Sequence, residues 1–211
     1  MIKMLSLPTL LRFAIGALLT LHAPAARGQS SAGTWGFVNA RYDTRSSAYI
    51  YTGYGWRRAF AMAGVVNNPR TGYAELVGGV GAVLKTGADA EHWLAVATAG
   101  AGDLSAAQIY WLPKVRTGAV TSRATIKWKI PYRGTQPQKL SVSPLSMTMP
   151  LGGRLAGGVA MEVAATEGAR TDIGTGLELR LKLPGAAVGV DALRDVNGKG
   201  SGVRLSFASM F

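Results

Sequence analysis

Apolar and polar residues alternate along this chain with a period of two, most clearly between Ser122 and Tyr132. Ala124, Ile126, Trp128, Ile130 and Tyr132 take one set of alternate positions there, and Arg123, Thr125, Lys127 and Lys129 take the other. From Asp172 to Leu183 the pattern returns, with Ile173, Leu177, Leu179, Leu181 and Leu183 opposed to Glu178, Arg180 and Lys182. It returns again from Val203 to Phe211, with Val203, Leu205, Phe207 and Phe211 opposed to Arg204 and Ser206. Successive side chains of a strand point to opposite faces, so each segment reads as a strand with one apolar face. Beyond residue 28 no segment holds an apolar stripe of helical period over three turns.

Residues that supply turn geometry separate these segments. The expected turns are Asp43–Ser47, Gly55–Arg58, Asn67–Gly72, Thr86–Ala90, Gly100–Ser105, Arg116–Gly118, Arg133–Gln138, Pro150–Gly153, Thr166–Thr171, Pro184-Gly185 and Asp195–Ser201. Together they predict twelve strands from about Thr34 to Phe211. The turn at Gly55–Arg58 is required by an even strand count. Ten strands result if Tyr49 to Val66 is one long strand and the first segment lies outside the sheet. Between Val142 and Leu145 the apolar positions change parity at Ser143-Pro144, which predicts a bulge, since proline cannot donate to a ladder.

The start of the chain is different. Lys3 and Arg12 precede an apolar run from Phe13 to Leu21, and small residues follow through Ala26-Arg27-Gly28. This is the form of a secretory signal peptide, and the run is too short to span a membrane as a helix. Residues 1–28 are therefore read as an export signal and 29–211 as one β-domain. The signal takes with it Lys3, Arg12, Arg27 and His22, leaving His92 as the one histidine.

The apolar faces need a partner: a second sheet in a soluble protein, or lipid around a closed barrel. Strands of about ten residues cross a bilayer when tilted, and a spanning sheet must close on itself because an open edge cannot face lipid. The last strand, with Val203, Leu205, Phe207 and the aromatic Phe211 on one face, resembles the final strand of bacterial outer-membrane β-barrel proteins. That resemblance covers the export signal, the strand rhythm and the last ten residues. It implies an all-β fold, a closed antiparallel transmembrane barrel with short turns, sited in the outer membrane. It further implies that Val203, Leu205, Phe207 and Phe211 form a signal for the barrel assembly machinery. A soluble periplasmic β-protein is the alternative fold.

Charge now gains a direction. The 211 residues carry 23 Lys and Arg against 11 Asp and Glu, a net charge of +12, while charged residues are only 16% of the chain. Such a balance suits an acidic partner, and export removes nucleic acid from the candidates. A cation facing lipid at mid-bilayer costs about 2–4 kcal/mol, so the charged positions must face the lumen. Those positions are the basic Lys114, Arg123, Lys127, Lys129, Arg154, Arg180, Lys182 and Arg204 and the acidic Glu75, Glu162, Glu178 and Asp191. Gln108 and Tyr110 join them. An excess of lumen cations favours passage of small anionic solutes; pairing with the acids gives a salt-bridged, closed, structural or export-accessory barrel instead. Arg41, Arg45, Arg70 and Arg133, in or beside turns, are candidates for lipopolysaccharide phosphates at the rim, or are solvated turn residues.

Enzymatic chemistry finds little support. His92, near Asp89 and Glu91, has no Gly-x-Ser-x-Gly nucleophile elbow to serve. There is no cysteine, no cluster with metal-ligand spacing and no phosphate-binding glycine loop, so neither a metal nor a cofactor is expected. The 28 glycines are read as relief of crowding in a tightly curved sheet.

Overall fold

The computed structural model describes residues 33–44, 47–68, 71–197 and 200–211. The proposed export signal at 1–28, and Arg45 and Arg70, lie outside these residues. Twelve strands follow one another: β1 Thr34–Asp43, β2 Ala48–Trp56, β3 Ala59–Asn68, β4 Tyr73–Lys85, β5 Ala90–Ala101, β6 Leu104–Thr117, β7 Val120–Arg133, β8 Lys139–Gly152, β9 Leu155–Thr166, β10 Asp172–Leu183, β11 Ala186–Asp195 and β12 Ser201–Met210. Each neighbours the next, and β1 pairs antiparallel with β12, so the sheet closes into a barrel. No helix among the described residues is long and apolar enough to cross a membrane.

The twelve-strand expectation is met because the chain does turn at Arg57-Arg58. Arg57 sits there at φ 53°, a left-handed conformation more often given to glycine. Its carbonyl accepts the Trp35 indole N–H at 2.9 Å, and the Arg58 carbonyl accepts the Val83 N–H at 2.7 Å. Several turns are shorter than expected, among them Gly55–Arg58, Gly100–Ser105 and Pro150–Gly153. Pro150 and Leu151 remain in β8, which runs to Gly152, and Gly153, at φ 53°, brings the chain round. The irregularity at Ser143-Pro144 is present: the β8–β9 register shifts between Val142 and Leu145. Leu140, Met147 and Met149 consequently all lie exposed on the outer face.

The outer face is the apolar set. Leu76, Val80, Val96, Val159, Leu177, Leu179, Val203 and Leu205 are all exposed. Aromatic residues mark both ends of this band, Trp56, Trp111 and Phe211 toward the end that carries β1's start and β12's finish, Trp128 and Tyr132 toward the other. Such girdles match the interfaces of a bilayer. Phe211 also closes the seam. It exchanges backbone hydrogen bonds with Gly36, at 2.7 and 3.1 Å, and a Cβ on Gly36 would strike its ring at 2.4 Å.

The inner face is divided. On β1–β6 it is largely aromatic and small. Phe37, Tyr51, Phe60, Val77, Val83 and Tyr110 form a buried cluster with Ala95, Ala97 and Ala99, and Trp35 and Trp93 pack against it. Four rings pack edge to face or tilted, at centroid distances of 5.2 Å for Trp35–Trp93, 5.7 Å for Phe37–Phe60 and 5.4 Å for both Phe37–Trp93 and Phe60–Trp93. Inner-face glycines give these rings room: a Cβ on Gly53 would meet Phe37 at 2.2 Å, and one on Gly55 would meet Trp35 at the same distance. On β7–β12 the inner face is charged.

Candidate functional site

Cross-strand register brings the lumen charges together. Partners directly opposite in a sheet point to the same face, so the pairs Tyr110↔Lys127, Gln108↔Lys129 and Lys114↔Arg123 put these residues on one wall. The pairs Glu178↔Asp191 and Asp43↔Arg204 do the same near the seam.

Arg204 is the most enclosed charge, with a side chain only 1% exposed. Its guanidinium donates to Asp43 on β1 and Asp191 on β11, both at 3.4 Å, and to Glu162 on β9. One cation is thus shared among three carboxylates. Beside it the ratio reverses: Arg123 Nη2 at 3.1 Å and Arg180 Nε at 3.0 Å both donate to Oε1 of the buried Glu178. A second constellation forms on β4, β6 and β7. Glu75 accepts from Lys129, from the Tyr73 hydroxyl and, at 2.5 Å, from Gln108 Nε2. Gln108 in turn accepts from Tyr110, whose oxygen lies 3.3 Å from that of Tyr51. This chain of contacts joins the charged wall to the aromatic one. Buried polar groups satisfied in this way rigidify an interior.

A cavity of about 570 Å³ lies between the walls. Its lining starts at the rim with Ser47, Asn68 and Lys139 and ends at Phe37, Phe60 and Trp93. Arg41, Lys127, Lys129 and Lys139 supply its cations, and Asp43, Glu75, Glu162, Asp172 and Asp195 its carboxylates. Glu75 is held by Lys129, and Asp43 and Glu162 by Arg204. Among the described residues, Lys127, Lys139 and Arg41 form no ion pair. Arg41 instead donates to the Ser143 carbonyl at 3.1 Å and lies over the Tyr49 ring at 4.8 Å.

Several expectations change here. Arg154 stands exposed in the β8–β9 turn and not on a strand wall, because β8 extends past Pro150 and leaves only two residues to reverse the chain. Lys114 and Lys182 keep inward register but are exposed near the same end. Arg41 faces the interior, not the outer rim, since it alternates with Tyr42 and shares the inward positions of Phe37, Asn39 and Asp43. Lys139, Asp43, Asp172 and Asp195 are inward charges that strand parity left unassigned. His92 does not meet an acid: its Nδ1 accepts from Trp111 Nε1 at 3.3 Å, while Glu91 bonds the Trp93 indole at 2.7 Å. Val203, Leu205 and Phe207 share the outer face with Phe211 and make no polar contact through their side chains.

A closed, antiparallel, twelve-strand barrel with an apolar outer belt and a polar, partly charged interior has the architecture of outer-membrane β-barrels. Among solved structures the chain is similar to the KdgM porin, at a TM-score of 0.56 and 9% identity over 83% of this chain and 99% of that one. It is similar also to the KdgM porin in complex with disordered oligogalacturonate, at 0.58 and 8% over 84% and 99%, and to the NanC porin, at 0.52 and 11% over 83% and 99%. No protein-family model matches the chain, and no curated protein sequence matches it.

Proposed function

We propose that this protein is a narrow outer-membrane channel for small anionic solutes, exported by means of residues 1–28. The observation that carries the reading is a set of cations on the cavity wall that lie outside ion pairs. Among the described residues Lys127, Lys139 and Arg41 face the cavity without an ion pair, while Arg204 and Lys129 hold Asp43, Glu162 and Glu75, and Asp172 and Asp195 complete the lining. Cations left available to a solute in a wet lumen favour anions. Of the three cations that alternate on β7, Lys127 is the one available to a solute, since Arg123 and Lys129 are held by Glu178 and Glu75. The termini end is read as periplasmic, because its turns are the shorter set.

Planar-bilayer conductance under a salt gradient tests the proposal. The expected result is a reversal potential on the anion side that moves toward zero in the Lys127→Gln, Lys139→Gln double variant. Cation preference, or an unmoved potential, overturns it. Oligogalacturonate, the solute named with one similar barrel, is the first acidic probe to add as a blocker. The competing reading, a structural barrel with a closed lumen, rests on the four packed rings at the inner end of the cavity and on the buried Arg204 layer. Absence of conductance in a folded barrel selects it.

A further inference from the structure

The outer wall holds a feature that conduction does not use. On β2–β6 the apolar belt is scooped into a groove of about 840 Å³. Its floor is made of residues with almost no side chain, Ala59 and Ala61 on β3 and Ala82 on β4. The ladder places them in rows: Trp56, Ala59, Ala82 and Leu94 follow one another across four strands, and Tyr54, Ala61, Val80 and Val96 form the next row. Tyr54 and Trp56 are thus one bank, and Leu94 and Val96 the other. The exposed Val80 narrows the second row, while along the Trp56–Leu94 row the banks stand three strand spacings apart, roughly 14 Å. That width takes two extended hydrocarbon chains side by side.

The head of the groove is cationic. Arg57 and Arg58 are both exposed at the β2–β3 turn, directly after Trp56 and before Ala59. Neither forms an ion pair among the described residues. The Arg57 guanidinium lies over the Trp56 ring, 4.6 Å from its centroid, which brings the charge to the mouth of the groove. The turn that carries them is fixed from both sides, by Trp35 Nε1 on the Arg57 carbonyl and Val83 N on the Arg58 carbonyl. A guanidinium held at the mouth by Trp56, with a second exposed arginine next to it in the turn, is suited to a phosphate, which such groups bind through forked hydrogen bonds.

From this charge complementarity we infer that the groove is a specific site for an anionic glycerophospholipid. Its two acyl chains lie on Ala59, Ala61 and Ala82, and its phosphate binds Arg57 and Arg58. The site stands independently of the channel reading.

Native mass spectrometry of the detergent-purified barrel, titrated with phosphatidylglycerol or phosphatidylcholine, tests the inference. Each variant is first shown to be folded by its heat-modifiable migration. The wild-type barrel retains phosphatidylglycerol at least tenfold more tightly than phosphatidylcholine. Arg57→Gln with Arg58→Gln removes that preference, and Ala61→Trp, which fills the groove and leaves both arginines, weakens both lipids. Equal retention of the two lipids by the wild type overturns the inference, as does undiminished preference in the double arginine variant. Disulfide-linked dimers of Ala61→Cys barrels in vesicles would also overturn it, because the groove would then be covered by a second copy of the chain.

Discussion

The two halves of the barrel share one ladder and fill their interiors with opposite chemistry. In β1–β6 the inner positions hold Trp35, Phe37, Tyr51, Phe60 and Trp93, and in β7–β12 with the end of β1 they hold Arg123, Arg180, Arg204 and their carboxylates. Glycine serves both. Gly53, Gly55 and Gly81 make room for rings, while a Cβ on Gly174 would meet Glu162 at 2.9 Å and one on Gly189 would meet Ser206 at 2.5 Å. A twelve-strand ring is narrow enough that large inner side chains need small residues opposite them. The aromatic half resembles the core of a soluble domain and is held by burial and ring packing. The ionic half has no such core, and its order comes from shared ion pairs centred on Glu178 and Arg204.

The comparison is broken most severely at Arg204. Arg204→Met withdraws the cation that Asp43, Asp191 and Glu162 share, and the expected loss is about 3–5 kcal/mol. It is read from the urea midpoint of the heat-modifiable band. A loss under about 1 kcal/mol would mean that water, not Arg204, already neutralises the three acids. In the aromatic half Phe60→Ala removes one of four packed rings and costs about 3 kcal/mol. Because Phe60 lines the inner end of the cavity, single-channel conductance should rise in the same variant. An unchanged conductance would separate the rings from the conduction path. The smallest effect falls on the bridge between the halves: Tyr51→Phe removes the hydroxyl 3.3 Å from Tyr110 at about 1 kcal/mol, with conductance unaltered. A change in ion preference there would assign the tyrosines to the solute path.

Strand number, turn positions and the outward face were legible in the sequence wherever one parity was charged. Around Lys127 and Lys129, or Glu178 and Arg180, the cost of a charge in lipid decides the face by itself. The same argument had nothing to act on in Phe60-Ala61-Met62-Ala63 or Trp93–Ala99, where both parities are apolar or small. The aromatic interior therefore stayed hidden, although a signal existed: rings on one strand lie beside glycines on the next, as Phe37 does beside Gly53. Reading it requires the register. Arg41 was misassigned to the rim because it stands two residues from a turn, and only closure of the ring brings Ser143 and Tyr49 to it. The ionic partners, Asp43 apart, were legible as a set and not as pairs. Asp43 and Arg204 are separated by 161 positions, and nothing local links them.

That separation has a kinetic consequence. Arg204 ties β12 to β1, β9 and β11 at once, so its full set of contacts exists only after the ribbon of hairpins has become a ring. Hairpins need only neighbouring strands, whereas the β1–β12 closure carries the greatest loop entropy in the molecule. The contact of Arg204 with Asp43 therefore exists only in the closed ring. It serves as a latch, opposing the separation of β12 from β1 that would reopen the ring.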